Sequence, residues 1–414
     1  MIEGKIISFY REKRQMTQRD LGIGICSSTH VSKIERGLTE YSIEVLNLLA
    51  NRLQVDLKKE IETYYSIKSM LHDWMNAIIM RQKKKAERIK LQLEEIELLE
   101  LSDFQQSFKL IHIRYSMLIG HFSDVPLMLR EMEKEMNLSS LDANLLLHSK
   151  AIYLMQFKRD YQLAMVLLRQ IDESSYPYHE YYYHLALNHH FLRQHIYAYK
   201  YASRSLEYFM KTNNFVRIID AKMLILVLLE YDHLNEDKGE VYRSMLEMTE
   251  TLGLHDQHSF ILHNYAYHQL AHHRYGEAME LYKRSMRLKD PQSSVYLESL
   301  EGYVHAASKS GKKSVRILLE QVEAGLGLAE ELQDERHVHL FKLHRFRILD
   351  QPDDYYGYLE NYAYPYFSTN GMHRLKEYYH IQLYHHFMKT GQIEKANSFS
   401  RSYIEPVKQY DVFA

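Results

Sequence analysis

A small residue returns at a fixed helical beat through most of this chain. Ala164 and Ala198 stand 34 residues apart, in the stretches YQLAMVLL (161–168) and IYAYKYAS (196–203). Ala278 and Ala396 head two further copies, AMELYKRS (278–285) and ANSFSRSY (396–403). Leu168, Ala202 and Tyr282 follow four positions after the first three alanines, with Ser205 and Ser285 three positions later again. Weaker copies fit near 106–136, 219–252, 296–328 and 335–375. A residue with almost no side chain lets two helices approach closely. One helix pair cannot bury its apolar faces alone, so pairs of this length must stack on their neighbours. The chain has only 6 prolines and 15 glycines in 414 residues, which leaves few places to break a helix.

A two-helix unit with a period in the mid-thirties is the tetratricopeptide pattern. The expected fold is therefore all-α: an N-terminal helix-turn-helix domain over residues 1–65, linker helices over 66–104, and a tetratricopeptide-like right-handed superhelix over 105–414. Such a superhelix presents a concave inner surface. Hydrophobic residues make up 46 % of the chain, enough for a sizeable core. The net charge of −2 excludes a chain that binds nucleic acid over its whole surface. A single cysteine, Cys26, excludes an internal disulfide framework and suits a reducing compartment. No signal-peptide core and no membrane span can be read, so the expected location is the cytoplasm.

The head differs in texture. Leu21, Ile25, Val31 and Ile34 are spaced to face one core, and Ile6, Phe9 and Tyr10 form a stripe ahead of them. Thr17, Ser42 and Asp56 stand where helix N-caps belong, as does Ser27 or Ser28, and Gly37 stands where a helix should stop. A helix from Ser27 to Arg36 buries Val31 and Ile34. Ser28, Thr29, Ser32, Lys33 and Arg36 then point outward, as on a helix that enters the major groove. Hydroxyls can bond any base edge, and Lys33 can reach guanine or a phosphate. Gln18 at a helix N-terminus suits a phosphate contact. Glu35 is an acid in the middle of this surface, and its expected partner is Arg11.

The residues Thr17, Gln18, Leu21, Ile25, Val31, Ser32, Ile34, Glu35 and Gly37 resemble the phage-repressor, or Xre, type of helix-turn-helix. The tighter run from Ile25 to Gly37 is similar to that of the PlcR and NprR regulators. These belong to a wider set of peptide-pheromone receptors that includes the Rap, Rgg and PrgX proteins. The resemblance implies DNA contacts from Gln18, Ser28, Thr29 and Lys33. It also implies a short signalling peptide bound by the repeats through asparagine amides. Asn188 and Asn264, with Tyr183 and Tyr267 nearby, are the candidates, because an amide offers both a donor and an acceptor to a peptide unit. The implied function is transcription regulation controlled by such a peptide. The alternative is a repeat protein that binds a response regulator, as Rap proteins do.

Residues 1–65 hold ten Lys and Arg against nine Asp and Glu. One head is then a weak phosphate binder, which favours a homodimer that reads two half-sites of duplex DNA. No catalytic residue, cofactor or metal site is expected. His268 and His272 have zinc-like spacing but lack a visible third ligand. Cys26 is expected to be a small buried residue. The basic run RQKKKAERIK (81–90) reads as a solvated helix face, or as a strip that brushes a phosphate backbone.

Overall fold

A computed structural model of the chain describes residues 1–39, 42–230 and 238–408. The chain forms two compact units, Met1–Leu234 and Asn235–Ala414. The described residues are helical, without a strand.

The first unit opens with α1 (Ile2–Lys13), α2 (Gln18–Gly22), α3 (Ser28–Glu35), α4 (Ile43–Arg52) and α5 (Leu57–Ile79). Local chemistry sets these boundaries. Thr17 and Asp20 form a reciprocal capping box, each side-chain oxygen accepting the other residue's backbone N–H at 3.1 Å. Ser27, Ser42 and Asp56 cap α3, α4 and α5 through their side-chain oxygens. Gly37, at φ +66°, ends α3 in the left-handed region. Ile6, Leu21, Val31, Ile34 and Leu49 are fully buried together, while Ile25 and Phe9 pack half-buried against them. Gly4 is the close contact in this core: a Cβ there would stand 2.1 Å from the Ile34 carbonyl oxygen, so α1 meets α3 backbone to backbone.

Residue 65 falls inside α5, which runs unbroken from the head to Ile79. Trp74 of this helix is fully buried beside Phe108. The unit continues with α6 (Lys83–Glu94), α7 (Ser102–Ile119), α8 (Val125–Glu133), α9 (Ser140–Tyr153), α10 (Tyr161–Leu168), α11 (Tyr181–Phe191), α12 (His195–Lys211) and α13 (Phe215–Glu230). In α6 the basic run is a solvated face: Ala86, Ile89 and Leu93 turn inward and Lys83, Lys84, Lys85 and Arg88 turn to water. The head is also pinned sideways. Lys5 and Tyr64 both reach Asp103 at 2.6 Å, and Lys13 reaches Glu97 at 2.8 Å.

The second unit holds α14 (Gly239–Thr251), α15 (His255–Ala271), α16 (Tyr275–Arg287), α17 (Ser294–Ser310), α18 (Val315–Glu331), α19 (Glu335–Ile348), α20 (Pro352–Tyr358), α21 (Tyr364–Thr369), α22 (His373–Lys389) and α23 (Ile393–Lys408).

In both units the recurring small residues lie at helix contacts. Ala164, Ala198, Ala202, Ala278 and Ala396 are fully buried, as are Ser205 and Ser285. Ala186, Ala198 and Ala202 pack with Leu224 and Leu228 in one cluster spanning α11, α12 and α13. A second marker travels with the beat. Arg159, Arg193, His273 and Gly391, each five residues before one of the four alanines, all have positive φ. The turn inside each hairpin therefore uses one left-handed residue, and the next helix starts at a fixed offset from it. Three of the four are not glycine, so the turn is enforced by the packing on either side. Tyr403 of the last copy lies outside the described side chains.

Candidate functional site

α3 carries the expected outward face. Ser28, Thr29, Lys33 and Arg36 are exposed, and Ser32 is half-buried. Arg36 closes the helix end, its Nε donating to the Ser32 carbonyl at 3.2 Å. Glu35, the only acid of α3, is turned away from this surface and is 5 % exposed. Arg11 grips it with a guanidinium fork, Nε to Oε1 at 2.5 Å and Nη2 to Oε2 at 3.0 Å. The bond to Glu35, set against some loss of hydration, raises the already high pKa of Arg11 further. Gln18 joins the pair, its Nε2 donating to Glu35 Oε2 at 2.7 Å. The pair removes a negative charge from the face of α3 and fixes α1, α2 and α3 to one another.

Gln18 is thus half-buried, with its amide engaged inside the head. Arg52 adds a brace the sequence reading did not include. Its Nη1 donates to the carbonyls of Leu21 and Ile23 at 2.8 and 2.5 Å, satisfying the end of α2. The only sequence signal for this brace is a basic residue in the last turn of α4. Cys26 is half-buried rather than fully enclosed, and burial raises its thiol pKa, which disfavours the reactive thiolate.

The four residues expected to hold a peptide are divided between the units. Tyr183 and Asn188 lie on α11 in the first, Asn264 and Tyr267 on α15 in the second. Asn188 is fully buried, and its Nδ2 donates to the Tyr161 carbonyl at 2.9 Å, tying α11 to the start of α10. Its Oδ1 is buried without a partner. Tyr183 is half-buried, with the Arg217 guanidinium 5.1 Å from its ring centre. Asn264 is half-buried and bonds one turn back to the Phe260 carbonyl at 2.9 Å. Tyr267 is 47 % exposed. Asn264 and Tyr267 are three apart and share one face of α15.

Deeper in the first unit lies a polar network that periodicity cannot reveal. Glu180 is fully buried between Arg114, at 2.6 Å, and Arg217. Burial opposes its ionisation, but Arg114 and Arg217 prevail and hold its carboxyl below the usual range. His148 bonds the Tyr176 hydroxyl at 2.8 Å and His184 at 3.0 Å. Burial, with Arg114 and Arg217 nearby, pushes both imidazoles well below their ordinary value and keeps them neutral. Arg217 and Asn214 also both donate to the Ile79 carbonyl, at 3.4 and 3.3 Å. The far end of α5 is thereby clamped to the start of α13.

Residues 7–59 match the helix-turn-helix family. No curated protein matches the chain. Solved structures match over much more of it. The apo form of the quorum sensor NprR from B. thuringiensis superposes with a TM-score of 0.65 at 21 % identity, covering 83 % of this chain and 99 % of that one. NprR in complex with its cognate peptide NprX gives a TM-score of 0.67 at 21 % identity, with the same coverage. A Rap protein complexed with Competence and Sporulation Factor gives 0.69 at 19 % identity, covering 83 % of this chain and 98 % of that one. The likeness is one of fold.

Proposed function

We propose that this chain is a DNA-binding transcription regulator of the cytoplasm whose activity is set by a short signalling peptide held on its helical repeats. The observation that carries the reading is the outer face of α3. The Ser28 and Thr29 hydroxyls and the Lys33 and Arg36 cations are exposed while its single carboxylate is locked inward against Arg11 and Gln18. Ser28, Thr29, Ser32, Lys33 and Arg36 are the proposed groove-facing residues. Gln18 acts by holding α2 against Glu35, with phosphate contact left to its remaining donor capacity. The near-neutral head makes a homodimer on two half-sites the DNA-competent form. The peptide reading draws support from the fold shared with NprR, which was solved with its cognate peptide. Asn264 and Tyr267 on α15 offer it an accessible face. Asn188 contributes from within, by setting the position of α11.

A mobility-shift assay on DNA upstream of the gene, with and without short peptides encoded beside it, tests both halves. Specific binding altered by one peptide is the expected result. Specific binding indifferent to every such peptide removes the sensing half. A second reading, a regulator that docks on a response-regulator protein, draws support from the fold shared with a Rap protein. It predicts that a full-length chain with Ser28, Thr29 and Lys33 all changed to alanine keeps its biological activity.

A further inference from the structure

The second unit contains a cluster of ligand-type side chains to which the proposed function assigns no role. Glu301 and His305 stand one turn apart on α17 and share a face. His344 of α19 lies against them, its Nε2 2.7 Å from Glu301 Oε1. The rings of His305 and His344 are 5.5 Å apart between centroids, inclined at 56°. One ligand atom from each of the three residues lies within 4.8 Å of the others. The place is built into the unit: His344 is 4 % exposed and the Glu301 side chain 22 %.

The network uses only part of the donor set. His344 turns Nε2 to Glu301, while its Nδ1, directed away from that carboxylate, is buried without a partner. Among the described residues, no hydrogen bond reaches the His305 ring, which lies beside His344 as a tilted ring contact. What points to an ion is therefore the convergence of His344 Nε2, a Glu301 oxygen and a His305 nitrogen. Two imidazoles and one carboxylate form the donor set of zinc and its neighbours in the first transition row. Calcium and magnesium ask for oxygen throughout. Bonds of about 2.1 Å to a common ion require ligand atoms about 3.4 Å apart, which ring rotations from the present spread can supply.

We propose that Glu301, His305 and His344 form a binding site for a divalent transition-metal ion of the zinc class. The ion would join α17 to α19, so it is a staple within the second unit and is independent of the DNA and peptide reading. The pair His268 and His272, which has the better spacing in the sequence, is not part of it: the third ligand is found only by folding, 43 residues after Glu301.

The test uses the full-length chain, stripped with a chelator and dialysed. Zn²⁺ is titrated against a chromophoric competitor, and Co²⁺ serves as a spectroscopic probe of imidazole coordination. The wild-type chain is expected to take up one equivalent with a rise in Tm. Glu301→Gln and His305→Ala are each expected to weaken binding at least tenfold and to diminish the Co²⁺ visible bands, whereas His272→Ala changes neither. Far-UV circular dichroism checks each variant, and Glu301→Gln conserves volume. No stoichiometric uptake by the wild-type chain overturns the proposal. So does unchanged affinity in a folded Glu301→Gln or a folded His305→Ala chain.

Discussion

At the scale of single residues, the head is organised by one inward-facing carboxylate. Glu35 is paired by a bidentate guanidinium and an amide, and both Arg11 and Glu35 are largely out of water. Removing one partner strands the other's charge, so Arg11→Ala should destabilise the head by about 3 kcal/mol. Faster hydrogen exchange in α3 is the measurement. Arg11→Lys should recover only part of the loss, because an ammonium cannot reproduce the fork. A second residue-scale effect is acid sensitivity in α19. Asp334 caps that helix and accepts from His337 Nδ1 at 2.7 Å. Burial works against its ionisation, but the bonds from His337 win and lower its pKa from 3.8 to about 2. A depressed carboxyl gives stability that is fully present above its unfolded value and is lost as pH falls through the folded one. About 2 kcal/mol should therefore disappear between roughly pH 4 and pH 2. Asp334→Asn should flatten that part of the stability profile; an unchanged profile would remove Asp334 as its source.

At the scale of helices, the fold depends on where side chains are missing. A Cβ on Gly302 would stand 2.3 Å from the Tyr282 ring, and one on Gly325 would stand 2.4 Å from the Phe341 ring. Each glycine is a floor for an aromatic of the neighbouring helix. Gly302→Ala should cost about 1–3 kcal/mol through overpacking, read as a lower Tm of the full chain. Gly4→Ala meets backbone instead of a ring, so it should push α1 off α3 and abolish DNA binding. Much of this level was legible in the sequence. Caps are local chemistry, so Thr17, Ser42 and Asp56 could be read directly and the cap of α3 narrowed to Ser27 or Ser28, of which the fold uses Ser27. The small-residue beat is periodic, so Ala164, Ala198, Ala278 and Ala396 could be placed at helix contacts. What periodicity cannot supply is the identity of the neighbour. It put Asn188 on the first helix of a repeat but could not show that Tyr161 takes its amide. Position at a helix start suggests a phosphate contact for Gln18, and the pairing of Glu35 with Arg11 is expected, but the bond from Gln18 to Glu35 is not. Glu180 with Arg114 and Arg217, and Glu301 with His344, are long-range pairs invisible before folding.

At the scale of the whole molecule, α5 is the physical link between the N-terminal head and the helices that follow it. It begins under the head at the Asp56 cap and ends with its Ile79 carbonyl held by Asn214 and Arg217. A ligand that changes α11 to α13 can therefore act on the head through a continuous helix. It can shift the head only by as much as it discriminates between two arrangements. Asn214→Ala removes one of the two bonds to the Ile79 carbonyl, leaving that of Arg217, together with the bond that caps α13. It should cost about 1 kcal/mol and leave DNA affinity intact while weakening the peptide's effect on it, as measured by paired titrations.

The most direct measurement is the affinity of the full-length chain for its own upstream DNA, taken against salt concentration for the wild type and for Lys33→Ala. Specific binding that weakens steeply with salt is expected, with Lys33→Ala reducing the slope by about 1 for each bound head. Binding that is absent in the wild type, or identical in slope and strength in the variant, would contradict the account.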